Sequence, residues 1–343
     1  MMAKKVWRMA FAAILLFAPF LGLAQGPVFH DIRPGYGVTD CIWLSDYLPA
    51  LRGTPGDTRV YILDSGVPGG TALVLGGTHG NEIAGIMAAV ILVERARPLK
   101  GRLIVIPHAN NANIDYPDPR YPQQPFLITF QGPDGLKRQF RCGARLTNPR
   151  YQGPDPEKYI NPSGASFPGY EARNLNRCYP GRPDGTLTEQ IAYAIIQLII
   201  KENVGIVIDL HEAGVSSRLA STLVSHPRGL EIAAAAVIEL ETMGIDMKLE
   251  QSREEFRGLS HREIGDHTQA LSFLLETPNP GQEGGDPVND PAHPLYARVG
   301  IHLECIHALL SAAAQFGVPS VVLNKVPTLE ELSASGLATW LNW

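Results

Sequence analysis

The sequence predicts an α/β protein, a three-layer α/β/α sandwich around a mixed, mainly parallel central sheet. Two observations carry the prediction. Short apolar runs rich in Val, Ile and Leu alternate with longer segments of helical length and spacing, and such alternation builds a sheet with helices on both faces. With 45% hydrophobic and 18% charged residues over 343 positions, the composition supports a sizeable core and is far from that of a disordered chain.

The elements follow in order. Lys4, Lys5 and Arg8 precede an apolar stretch from Met9 to Leu23, which closes on Gly22-Leu23-Ala24. A basic start, a short apolar run and small residues make the pattern of a secretory signal peptide, so 1–24 is expected to be removed and 25–343 to form a single domain. An uncleaved anchor is the alternative; the stretch is short for a full span and contains Pro19, which favours cleavage. No cysteine follows the cut, which argues against a lipid anchor. The mature protein is expected to be secreted or periplasmic, without a stable membrane span.

Arg59–Asp64 and Thr71–Gly76 read as neighbouring strands joined by a Gly/Pro turn, Ile83–Arg95 as a helix and Arg102–Pro107 as a further strand. Leu187–Glu202 reads as a helix with Thr186 or Thr188 available as its cap and Gly205 beyond its end. Gly205–Leu210 and Leu271–Thr277 read as buried strands, and Gly229–Met243 and Leu295–Phe316 as long helices. Thr328 and Glu331 have the spacing of a capping box and open a small terminal helix in 328–343. The interval at about 110–172 breaks the alternation, being loaded with Pro, Gly, Asn, Tyr and Arg. Its aromatics (Tyr116, Tyr121, Phe126, Phe130, Tyr151 and Tyr159) argue against disorder, and an ordered insertion near a site is expected.

Loss of Lys4, Lys5 and Arg8 with the signal leaves 26 Lys+Arg against 34 Asp+Glu, a net charge of −8. No basic run is present, which excludes nucleic acid as the expected partner. Cys41, Cys142, Cys178 and Cys305 are even in number, which in an exported protein permits two disulfides. Cys142 and Cys178 flank a long loop that their pairing would staple; free buried thiols are the alternative.

The segment Gly76-Gly77-Thr78-His79-Gly80-Asn81-Glu82 joins an apolar strand to a helix. A histidine and a glutamate three residues apart at a strand end can reach one metal ion, and open α/β sheets place their sites at this rim. The alternative is a Gly-rich turn in which His79 and Glu82 merely cap the helix. His211 ends the run Ile206–Leu210 and supplies a third ligand at the same rim, with Asp209 available to a ring nitrogen. A His/Glu/His set with an open fourth position is the arrangement of catalytic zinc, which lowers the pKa of a bound water toward neutrality. Glu276 ends its own strand before Pro278 and is placed to act as general base and acid. In Arg173-Asn174-Leu175-Asn176-Arg177-Cys178-Tyr179-Pro180-Gly181, arginine with an adjacent amide suits recognition of a carboxylate, and a second arginine suits an oxyanion.

These motifs, in this order, resemble the zinc carboxypeptidase superfamily, and most closely its succinylglutamate desuccinylase/aspartoacylase branch. The resemblance spans roughly Val60 to Ala314. It implies a zinc carboxypeptidase-like sandwich with one zinc per chain held by His79, Glu82 and His211. It further implies Glu276 as general base and acid, and Asn176 with Arg177 as the grip on a substrate carboxylate. The carbonyl-polarising arginine is Arg173, which is nearest the motif, or Arg145, whose Arg-Leu-Thr-Asn-Pro context resembles the upstream family position equally well, since the insertion blurs the spacing. Asn174 departs from the pattern, since an Asp is frequent there. Ser260–His267 lies shortly before Glu276 and is expected to line the substrate pocket, a solvated polar loop being the alternative. The implied activity is amide hydrolysis beside a carboxylate, as a carboxypeptidase on peptides, including cell-wall peptides, or as a deacylase of N-acyl amino acids. A non-catalytic exported ligand-binding protein on the same scaffold is the rival, disfavoured by the presence of Glu276.

Overall fold

The central strands of the chain are buried along both faces, which makes the sheet the middle layer of the fold. The computed structural model describes residues 26–343, so the expected signal peptide lies outside the described residues. In chain order the elements are β1 (Asp40–Trp43), β2 (Arg59–Asp64), β3 (Thr71–Leu75), α1 (Ile83–Arg95), β4 (Arg97–Lys100), β5 (Arg102–Ile106), β6 (Leu127–Gln131), β7 (Lys137–Arg141), β8 (Lys158–Ile160), β9 (Ser166–Pro168), the one-turn α2 (Leu175–Cys178) and α3 (Leu187–Lys201). They continue with β10 (Ile206–Ala213), β11 (Thr222–Ser225), α4 (Leu230–Thr242), β12 (Lys248–Gln251), α5 (Ser260–His267), β13 (Leu271–Pro278), α6 (Leu295–Gln315), β14 (Val322–Asn324) and α7 (Leu329–Ser335).

Eight strands form the sheet in the order β1-β2-β5-β3-β10-β13-β11-β12. Its middle, β5-β3-β10-β13, is parallel, while β1, β2 and β11 pair antiparallel with their inner neighbours. The mixed, mainly parallel sandwich expected from the sequence is therefore present. One neighbour relation differs: β2 and β3 do not pair, because β5 lies between them. The β3-α1-β5 crossover returns its strand beside β3 in parallel, and β5 then offers β2 its other edge.

Strand alternation divides the core. Ala72 and Val74 of β3, and Ile206, Ile208 and Leu210 of β10, pack into one apolar layer with residues of α1, α4 and α6. Leu73 and Leu75 of β3, and Val207 of β10, face the opposite layer with residues of α3. Helix α1 is buried from Ile83 to Glu94, so its first backbone N–H groups have no water to bond. Glu212 meets that need from the end of β10, its Oε2 accepting the Ala84 N–H at 2.9 Å. Glu82, at the N-cap position, makes no side-chain capping bond. The capping alternative for Glu82 is thereby excluded.

Thr186 caps α3 in a capping box with Glu189, and Thr328 does the same for α7 with Glu331. The 110–172 interval is ordered, with the hairpins β6-β7 and β8-β9 and a buried Tyr159. Ser260–His267, polar in composition, is the helix α5, buried from Ser260 to Gly265. No helix among the described residues is long and apolar enough to cross a membrane.

The expected Cys142–Cys178 staple is not formed, and all four cysteines are free. Cys142 belongs to the layer around α1 and Cys178 to the layer around α3, so the sheet's two cores separate them. Burial pushes the Cys142 thiol up to about 12 and keeps it an unreactive apolar group.

Gly77 turns the chain after β3 at φ +67, and a Cβ there would lie 2.9 Å from the Pro107 carbonyl oxygen and 3.0 Å from the His108 Cα. Backbone strain and this contact act together, so Gly77→Ala should lower unfolding free energy by roughly 1–3 kcal/mol in denaturant titrations. An unchanged midpoint would show that the turn can be rebuilt without the glycine.

Candidate metal centre

Five segments meet at the carboxyl rim of the parallel strands. The turn after β3 brings His79 and Glu82, β10 brings His211, and β13 brings Glu276, which is the parallel-register partner of His211. Asn174, Asn176 and Arg177 enter on the turn around α2, and Arg145 enters from the interval between β7 and β8.

His79, Glu82 and His211 each present one ligand atom, all within 4.8 Å of one another and all buried. Glu82 bridges the rings, with Oε1 2.7 Å from His79 Nδ1 and Oε2 2.9 Å from His211 Nδ1. The two Nδ1 atoms are 3.2 Å apart. Each ring turns its Nε2 outward to a fixed acceptor. His211 Nε2–H donates to Asp209 Oδ2 at 2.9 Å, since residues two apart on a strand share a face. Asp209 is held in turn by Thr78 Oγ1 at 2.8 Å and Ser260 Oγ at 2.5 Å. His79 Nε2–H donates to Asn174 Oδ1 at 3.0 Å.

The donor set calls for a cation. Burial, reinforced by Arg145, pushes His79 down to about 4, so its ring is neutral. With the ring proton on Nε2, His79 Nδ1 presents a lone pair to a carboxylate oxygen 2.7 Å away. Two acceptors at that separation favour positive charge close to both, which Arg145 and His211 supply here and which a bound cation would supply more directly. Burial opposes charge on His211, yet Asp209 and Glu82 together hold it well above the ordinary histidine range. Burial likewise opposes charge on Glu82, and His79 and His211 hold its carboxyl below the usual carboxylate range. The residues thus fit a divalent ion bound through two imidazoles and one carboxylate, each histidine oriented by a second partner.

Arg145, not Arg173, stands against this cluster. Its Nη1 is 3.3 Å from His79 Nδ1 and 3.5 Å from Glu82 Oε1. Asp118 places it by accepting the Arg145 N–H at 3.0 Å. Arg173 is committed elsewhere, forked on Asp155 at 2.6 and 2.8 Å and bonded to the Thr147 carbonyl at 2.8 Å. Arg173 is a candidate by sequence because it adjoins the Asn174–Arg177 segment, whereas Arg145 arrives from a remote loop.

Glu276 has a buried Oε2 without a hydrogen-bond partner among the described residues. Burial pushes its carboxyl up to about 8, with Glu82 adding to the rise and His211 and Arg145 opposing it. Asn176 gives its Oδ1 to the Ser260 N–H at 2.8 Å, which leaves its amide Nδ2 as the donor it can offer. Arg177 donates to the Asn176 carbonyl at 2.6 Å and rests against Phe167, 5.8 Å from the ring centroid. Ser260–His267 backs the site rather than serving as a loose polar loop, through the two bonds made by Ser260. Asp118 and Glu171 are contacts that sequence reading missed, since both lie in the aperiodic interval, where spacing carries no face information.

Comparison with known proteins finds partial similarities. Residues 157–281 match the family model of the succinylglutamate desuccinylase/aspartoacylase catalytic domain. An N-alpha-acetyl-L-2,4-diaminobutyric acid deacetylase from Halomonas elongata is 29% identical over 161 residues, which cover 46% of this chain and 33% of that protein. The chain thus spans about a third of the length of the curated relative it matches. A succinylglutamate desuccinylase from a Silicibacter species aligns with 16% identity and a TM-score of 0.46, over 88% of this chain and 75% of that one. A product-bound cell shape determinant protein from Helicobacter pylori aligns with 15% identity and a TM-score of 0.48, over 81% and 59%.

Asp209→Asn should leave His211 in place but weaken its orientation, lowering affinity for zinc by roughly 10–100-fold in chelator competition. Equal affinities would separate Asp209 from the centre. Over residues 157–281, about a third of its length, the chain is similar to the succinylglutamate desuccinylase/aspartoacylase catalytic domain.

Proposed function

We propose that this protein is an exported zinc-dependent amide hydrolase for substrates that carry a carboxylate beside the scissile bond. The observation that carries the reading is the buried His79–Glu82–His211 cluster with Glu276 beside it. Zinc held by the three ligands would supply Lewis acidity and an activated water. The remaining work falls to side chains. Arg145, the guanidinium nearest the cluster, polarises the amide carbonyl and stabilises the charge that develops on its oxygen. Glu276 accepts the proton of the attacking water and delivers it to the departing amine. Arg177, with the amide of Asn176, holds the substrate carboxylate and sets which bond lies over the ligands.

The basic and apolar pattern of 1–24 supports export. Within the substrate class, the deacetylase relative supports an N-acyl amino acid, and export supports a peptide. Product analysis on N-acyl amino acids and on peptides with free C-termini assigns one or the other. A non-catalytic binding protein would bind such ligands and release no product from either set.

Glu276→Gln should keep one zinc per chain and lower kcat by about 10²–10⁴-fold, as expected for loss of a proton-transfer group. Equal turnover by the two proteins would sink the role of Glu276. A base works only when deprotonated, so activity should fall as pH drops through the Glu276 pKa. Burial places that carboxyl at about 8 before any metal is counted, and an adjacent cation favours its charged form. The acid limb of kcat/KM should therefore have its midpoint below pH 8 and vanish in Glu276→Gln. A midpoint above 8 would rule out this assignment.

A further inference from the structure

We infer that Glu171 is a positioning residue for the metal centre, acting on His79 through the amide of Asn174; the inference rests on the zinc reading above. Metal-bound histidines commonly donate their second N–H to a carboxylate, which fixes the ring and makes the ligand nitrogen more basic. His211 has that partner in Asp209, whereas His79 has an uncharged amide. The carboxylate is displaced by one link. Asn174 Nδ2 donates to Glu171 Oε2 at 2.6 Å, and Asn174 Oδ1 accepts both His79 Nε2–H at 3.0 Å and the Asn176 N–H at 3.0 Å.

The direction of the chain is fixed by its ends. A backbone N–H can only donate, so the atom facing Asn176 N is the amide oxygen, and the atom facing the carboxylate is the amide nitrogen. Withdrawal of electron density toward the Glu171 carboxylate polarises the amide and makes its oxygen a better acceptor for His79 Nε2–H. Asn174 is fully buried, so the link has no competing water on the amide. Glu171 lies on the short 3-10 turn Gly169–Arg173 and also approaches Arg177, with 3.9 Å between Oε2 and Nε. One carboxylate therefore connects the ligand histidine to the arginine proposed to hold the substrate.

The alternative is that Glu171 serves Arg177 alone. Zinc affinity of the purified chain, measured by competition with a chromophoric chelator, separates the two. Glu171→Gln should weaken zinc by about 10-fold or more. Asn174→Leu keeps Glu171 and cuts the link, and it should weaken zinc to a similar extent. The double variant Glu171→Gln/Asn174→Asp moves the carboxylate directly onto His79 and should return affinity to within about threefold of wild type. A residue with a merely structural role would not be rescued by relocating its charge. Wild-type affinity in Glu171→Gln, with only the substrate KM altered, would overturn the inference and leave the zinc reading intact. A double variant as weak as Glu171→Gln would overturn it as well. If the wild-type chain binds no zinc, the zinc reading fails and this inference with it.

Discussion

A bond made across the sheet determines what Glu82 is free to do. Helix α1 is sealed in the core, and its N-terminal N–H groups must be satisfied by protein. Glu212 does this, and it is itself held by Arg298 and by Asn279 Nδ2 at 3.2 Å. His211 and Glu212 are successive residues of β10, so the pleat sends them to opposite faces. One face receives a ligand and the other receives the helix cap. Had Glu82 capped its own helix, the two imidazoles would lack the anion that joins them. The position of the cap thus leaves Glu82 free to join the His79–Glu82–His211 group that could hold a metal ion.

The regular part of the fold was legible in the sequence. Ile83–Arg95 is a helix with the predicted bounds, and His211 and Glu276 stand at strand ends in register, because apolar period and strand termination are local properties. The order of strands is not local. Placing β5 between β2 and β3 depends on where a crossover lands, and adjacency in sequence gave the wrong neighbour. The cysteines misled for a related reason. Loop-flanking positions say nothing about which side of the sheet a side chain enters, and Cys142 and Cys178 enter different cores.

The irregular interval explains the remaining gap. A chain without period gives no face, so sequence could name Arg145 and Arg173 as equals and could not see Asp118 or Glu171 at all. In three dimensions the choice between the arginines follows from their partners. Asp155 and a backbone carbonyl consume the guanidinium of Arg173, while Asp118 takes only the backbone N–H of Arg145 and leaves its head toward the ligands. The same interval supplies the arginine beside the candidate ligands, Arg145, with its Nη1 3.3 Å from His79 Nδ1.

Charge balance ties these features together. Glu82 and Asp209 are buried at one rim, and Glu276, partly buried, adds a buried Oε2; a carboxylate out of water costs several kcal/mol if charged and uncompensated. His211, pinned between Asp209 and Glu82, supplies one positive charge, and Arg145 stands at the partly exposed margin. That leaves the group with the fewest partners to remain protonated: burial favours the proton on all three, and only at Glu276 is it not outweighed by neighbouring charges and hydrogen bonds. A divalent ion among the ligands would remove the deficit at its source. Glu276 would then be released to ionise, so that the charge completing the ligand set would also prepare the base. A carboxylate of ordinary pKa in that position would be ionised with or without the metal and would carry no such dependence. Such a coupling would follow from the strand register of Glu276 with His211, which would put the proposed base in the field of a candidate ligand without sharing its hydrogen bonds.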